Sequence, residues 1–159
     1  MVKLTPPMGW NSWNTFGANI SEDLIFEIAD RMVEDGYLDA GYEYVVIDDC
    51  WSLRERDENG NLVPDPEKFP HGMKYVADYV HSKGLKFGMY SCAGNLTWAG
   101  YPGSYEHEFI DAATFAEWGV DFLKYDFCFH PATVEGAAIY RQMGLALANC
   151  GRDIVFSGC

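Results

Sequence analysis

The chain has 159 residues, 48% hydrophobic and 22% charged, enough for one soluble globular unit and too few for two. A formal net charge of −13 with no run of Lys or Arg excludes nucleic acid and anionic membrane surfaces as expected partners, while a neutral ligand is compatible with it. The chain lacks both an uninterrupted apolar run long enough for a membrane span and, in its first ten residues (MVKLTPPMGW), the apolar stretch of a signal peptide, so a cytoplasmic location is expected.

In chain order, 8–13 (MGWNSW) reads as the first strand. Ser21 then offers an N-cap, with Glu22 and Asp23 favourable in the first turn of a helix. Leu24, Ile25, Ile28, Ala29, Met32 and Val33 recur at helical spacing, and Gly36 or Gly41 closes the segment. A β-branched run at 43–48 (EYVVID) predicts the second strand, followed by a long connection, 49–72, with a hairpin turn at DENG (57–60). A helix over 73–82 stopping at Gly84 leads to a strand at 85–90 (LKFGMY) and a Gly- and Ser-rich connection, 91–106. A helix over 107–117 stops at Gly119, a strand follows at 120–126 (VDFLKYD), a helix runs over 133–149 to Gly151, and 153–157 opens a fifth strand. The order βαβαβαβαβ argues a parallel sheet with helical crossovers, either doubly wound or part of a barrel. No GxGxxG follows any strand, so a dinucleotide fold has no support. Five strands cannot close an eight-stranded barrel of about 250 residues, so on the barrel reading the chain is part of a longer one.

Each of the first four strands ends in residues that carry chemistry: Trp10-Asn11-Ser12-Trp13, Asp48-Asp49-Cys50-Trp51, Tyr90-Ser91-Cys92, and Lys124-Tyr125-Asp126-Phe127-Cys128. Ionisable groups at the tail of an apolar strand are costly to bury unless paired, and their recurrence at one end of consecutive strands places them around one opening. Lys124 and Asp126 lie two apart and share a face, where the cation would keep the carboxylate ionised as a glycosidase nucleophile requires; the same spacing also serves a plain ion pair. Asp48 and Asp49 read either as acceptors for sugar hydroxyls, with Trp13 or Trp51 as an apolar wall, or as a turn cap beside a solvated carboxylate. DENGN (57–61) fails the EF-hand pattern and the four histidines show no metal-ligand spacing, so no metal is expected. Cys50, Cys92, Cys128, Cys150 and Cys159 form no CxxC; an odd count without a signal peptide predicts mainly free thiols, with room for one pair.

Taken together, TPPMGWNSWN (5–14), VVIDDCW (45–51), KFPHGMK (68–74), LKFGMY (85–90), AGYPGSYEHE (99–108), DAATFAEWGVDFLKYDFC (111–128) and IVFSGC (154–159) resemble glycoside hydrolase family 27, the α-galactosidases and α-N-acetylgalactosaminidases. The resemblance implies a single (β/α)8 catalytic barrel of which residues 1–159 supply the first five strands and four helices. It implies a retaining hydrolase of terminal α-galactosides, working through a covalent glycosyl-enzyme intermediate with no cofactor. Asp126 would be the nucleophile, Lys124 a sugar contact, Asp48 and Asp49 hydroxyl binders, Trp13 a pocket wall and Tyr90 a neighbour of the nucleophile. Two departures stand out. Trp98 occupies the place where many members carry the cysteine bridged to the position of Cys128, which leaves Cys92 as a substitute partner that the resemblance does not support. The acid/base aspartate and the residues that separate galactose from N-acetylgalactosamine follow the fifth strand, and neither set falls within 1–159. A catalytically inactive, sugar-binding or self-associating partial barrel, with homo-oligomers as a consequence, stays open, as does a barrel enzyme of another class.

Overall fold

The computed structural model describes residues 5–159; residues 1–4, the start of the stretch read above as lacking a leader, lie outside it. Ten elements follow one another: β1 (Gly9–Asn11), α1 (Trp13–Phe16), α2 (Glu22–Glu34), β2 (Tyr44–Val46), α3 (Gly72–Ser82), β3 (Lys86–Cys92), α4 (Glu108–Trp118), β4 (Phe122–Asp126), α5 (Gly136–Asn149) and β5 (Val155–Gly158). All strand pairs are parallel and the sheet order is β1-β2-β3-β4-β5. A doubly wound sheet reverses its order at a switch point. Here each crossover adds the next strand on the same side, which is how a barrel is built.

Strand alternation sorts the side chains into two layers. Val45, Phe87, Met89, Leu123 and Tyr125 face the helices and are fully buried. They meet Ile25, Ala29, Val76, Ala77, Val80, Phe115 and Met143, which form the apolar stripes of α2 to α5. Each fully buried Val, Ile, Leu, Phe or Met side chain among them contributes roughly 1.5–3 kcal/mol. The opposite face carries Tyr44, Val46, Gly88, Phe122, Lys124 and Asp126, by alternation and by their register across β2, β3 and β4. Gly88 allows this face to close: a Cβ there would lie 2.8 Å from Val46 Cγ2 and 3.2 Å from the Phe122 ring.

The expected helices are all present. Ser21 caps α2 by accepting from Leu24 N at 3.3 Å, and Gly119 closes α4 in the left-handed conformation. The structure differs at the first strand, which is three residues long and turns at once into α1. Asn11 Oδ1 accepts from Trp13 N at 3.0 Å, an Asx turn that ends the strand. The turn at 57–60 forms as expected, with Gly60 N donating to Asp57 O at 3.0 Å, but its flanks reduce to an isolated antiparallel bridge, Ser52 with Pro64. Among the described residues no helix is long and apolar enough to cross a membrane.

Candidate active site

The C-terminal ends of β1 to β4 surround one cavity of about 170 Å³. Its lining unites Trp13, Asp48, Asp49, Tyr90, Lys124 and Asp126, the six residues to which the family resemblance gave a role, together with Trp98. Of the two tryptophans considered as its wall, only Trp13 serves. Trp51 lies on the helix side, donates from Nε1 to Tyr90 O at 2.9 Å and packs edge-on against Trp118.

The backbone turns outward after β2 and directs consecutive aspartates into the cavity, both 2% exposed. Ser12 Oγ accepts from Asp48 N at 2.9 Å, which ties this turn to the end of β1. Asp48 Oδ2 accepts from Lys124 Nζ at 2.7 Å and Asn11 Nδ2 at 2.8 Å, while Oδ1 accepts from Asp49 N at 2.9 Å. Asp49 Oδ1 accepts from Cys50 N at 2.7 Å and Thr97 Oγ1 at 2.9 Å, and Oδ2 from Ala99 N at 2.9 Å. A carboxylate has about four acceptor positions, so each aspartate keeps roughly one for a ligand hydroxyl. Burial, opposed by its own hydrogen bonds and assisted by the neighbouring Asp48 charge, pushes the Asp49 carboxyl above the ordinary range.

Lys124 and Asp126 share a face as alternation requires, but they are not each other's direct partners. The ammonium is bonded to Asp48, across the sheet. Asp126 takes its hydrogen bonds from the Tyr90 hydroxyl (Oδ2, 2.8 Å) and from Phe127 N (Oδ1, 2.8 Å). Burial alone would raise the Asp126 carboxyl, yet these donors, the Cys128 thiol and the Lys124 charge outweigh it and hold it below the usual carboxylate range. The donor that keeps Asp126 ionised is therefore chiefly a tyrosine from the adjacent strand, brought there by the pairing of Tyr90 with Lys124 and of Cys92 with Asp126. Burial, together with the hydrogen bond to Asp126, pushes the Tyr90 hydroxyl upward, so it remains a donor over any working pH.

All five cysteines are free. Cys92 and Cys128 do meet: Cys128 N donates to Cys92 Sγ at 3.2 Å and Cys92 Sγ donates to Cys128 O at 3.2 Å. Burial and the neighbouring Cys92 and Asp126 push the Cys128 thiol up to about 12. Among the described residues no group of three or more His, Cys, Asp or Glu side chains could hold a metal ion.

Sequence reasoning missed the supports. Asn11, Ser12, Thr97 and Ala99 fix the two aspartates, and only Asn11 and Ser12, beside Trp13, sat in a segment already singled out for chemistry. Trp98 lay in a connection without periodicity and stood out only as a departure from the family pattern.

The family model described as alpha galactosidase A matches residues 5–159. The alpha-galactosidase A of Cellvibrio japonicus is 54% identical over 155 residues, which are 98% of this chain and 38% of that protein. A crystal structure of a putative alpha-galactosidase/melibiase from Bacteroides fragilis superposes with a TM-score of 0.95 at 55% identity, covering 98% of this chain and 34% of that one. The alpha-galactosidase of Saccharomyces cerevisiae, solved with raffinose, gives 0.94 at 47% identity, covering 98% and 35%. The chain thus spans 34–38% of the length of these relatives.

Proposed function

The chain belongs to the alpha galactosidase A family, glycoside hydrolase family 27, and on that premise we propose that it carries the galactose pocket and the nucleophile of a retaining α-galactosidase. The observation that carries this reading is Asp126, held ionised by Tyr90 and Phe127 N at the floor of a cavity lined by Asp48, Asp49, Lys124 and Trp13.

Asp126 accepts from Tyr90 on Oδ2 and from Phe127 N on Oδ1, which leaves acceptor capacity on the carboxylate for attack at an anomeric carbon. The bond from Asp126 to that carbon forms as the bond to the leaving oxygen breaks, giving a galactosyl ester that water then hydrolyses. A retaining enzyme needs a second carboxyl about 5–5.5 Å away to protonate the leaving oxygen. The family resemblance assigns Asp48 and Asp49 to hydroxyl binding, and Lys124, Asn11, Thr97 and Ala99 hold them in place for it. We assign that role to the aspartate that the family places after its sixth strand, outside these residues. Lys124, Asp48 and Asp49 would fix the sugar hydroxyls, and Trp13 would cover an apolar ring face.

The test is hydrolysis of a chromogenic α-galactoside by the full-length protein, with trapping by an activated 2-fluoro galactosyl substrate and mass analysis of the labelled peptide. Label on Asp126, and loss of at least about 10³-fold in kcat for Asp126→Asn with an unchanged circular dichroism spectrum, are expected, since nucleophile and acid/base groups act as a unit. Wild-type-like turnover in that variant, or label elsewhere, would reject the assignment.

A further inference from the structure

Trp98 is 67% exposed, the most exposed large hydrophobic side chain among the described residues. The segment that carries it is nevertheless among the best anchored of the connections. Its neighbours Thr97 and Ala99 both donate to Asp49, at 2.9 Å each. Thr97 N bonds Tyr101 O at 2.8 Å, Gly100 N bonds Thr97 O at 3.0 Å, and Leu96 and Pro102 form an antiparallel bridge that closes the turn. From outside, Arg54 lies 4.4 Å from the Tyr101 ring centroid and donates to Gly100 O at 3.2 Å.

The position of the indole is thus set by an anchored backbone rather than by a packed core around it. It shares the cavity of Asp126, whose floor residues Asp48, Asp49 and Tyr90 are 1–2% exposed. Trp98 is therefore the rim of that cavity. A galactosyl unit held by the buried carboxylates and Lys124 would fill the floor, and whatever is attached to its anomeric oxygen must leave past the rim. A rigid indole offers a flat apolar face and an N–H donor at its edge, complementary to the C–H face and hydroxyls of a pyranose.

Resting on the galactosidase reading, we propose that Trp98 is a specificity-determining residue, the platform on which the leaving-group ring stacks. The site would then favour α-galactosides whose leaving group is itself a sugar ring over free galactose or galactosides of small alcohols.

The experiment uses the full-length protein with Asp126→Asn, so that ligands bind without turnover. Affinities for galactose and for an α-1,6-linked galactosyl-glucose are measured by calorimetry with Trp98, Trp98→Phe and Trp98→Ala. With Trp98 present, the disaccharide should bind more tightly than galactose. Trp98→Ala should weaken the disaccharide by about five- to tenfold, the worth of one aromatic stacking contact, and leave galactose unchanged. Trp98→Phe should retain most of the difference. An equal loss for both ligands would place Trp98 in the galactose pocket and overturn the inference, as would no loss for either. Absence of galactose binding with Trp98 intact would instead overturn the galactosidase reading, and the inference with it.

Discussion

Single atoms decide the state of Asp126. Removing the hydroxyl in Tyr90→Phe deletes one of the donors that hold Asp126 below the ordinary carboxylate range. Its carboxyl then rises, so more of it is protonated at a given acidic pH. The acid limb of kcat/KM should move to higher pH by up to about one unit, the share of a hydrogen bond to a charge left after solvent screening. An unmoved acid limb would mean that the limb reports another group. The lowered value also adds stability above the ordinary carboxylate range, and this contribution is lost as the pH falls through the lowered value. A second residue-scale test lies on the reverse side of the same strand. Tyr125 is fully buried, and its hydroxyl is without a hydrogen-bond partner among the described residues. Deleting an unpaired buried hydroxyl returns its desolvation cost, so Tyr125→Phe should leave the melting temperature unchanged or raise it, by up to about 1–3 kcal/mol in stability. A lowered melting temperature would show that the hydroxyl is satisfied.

Elements differ in how plainly their residues announce them. The helices α2 to α5 and the alternation of strands were legible, because apolar periodicity, the Ser21 cap and the terminal glycines act within a few residues of one another. The helix α1 was not, since its start depends on one bond from Trp13 N to the Asn11 side chain and four residues carry no period. Alternation placed Lys124 and Asp126 on one face but could not name the partner of Lys124, which lies 76 residues away. The two long connections were legible only as connections, for what shapes them is long-range. Arg56 grips Asp111 of α4 with two bonds of 2.7 Å and also binds Gly60 O and Gly103 O, which joins both connections to that helix. Asp111 is fully buried, so Arg56→Met should destabilise by about 3–5 kcal/mol by leaving its charge unpaired. Adding Asp111→Leu should recover much of that loss. Denaturant midpoints that do not differ between wild type and Arg56→Met would contradict this role.

At the scale of the molecule, β1 and β5 each pair on one side only among the described residues. A polypeptide of these 159 residues expressed alone should therefore self-associate through its open edges. On the reading proposed above it should also turn over no galactoside in an ordinary assay, because the acid/base group assigned outside these residues is worth about 10²–10⁴-fold. Light scattering and a galactoside assay on the purified polypeptide check both; a monodisperse monomer with measurable turnover would refute them. The pairing of Tyr90 with Lys124 and of Cys92 with Asp126 reaches further. A slip of one residue between these strands would carry a whole set of side chains to the other face, setting charged groups against the helices and Leu123 and Tyr125 in the opening. Hydrogen bonds along the ladder would count the same in either alignment. Burial of Leu123 and Tyr125 would not, and neither would the bond from Tyr90 to Asp126. The apolar layer thus acts as a proofreader for the chemistry: a chain that has aligned its strands incorrectly is rejected for its misplaced charges before any substrate tests it.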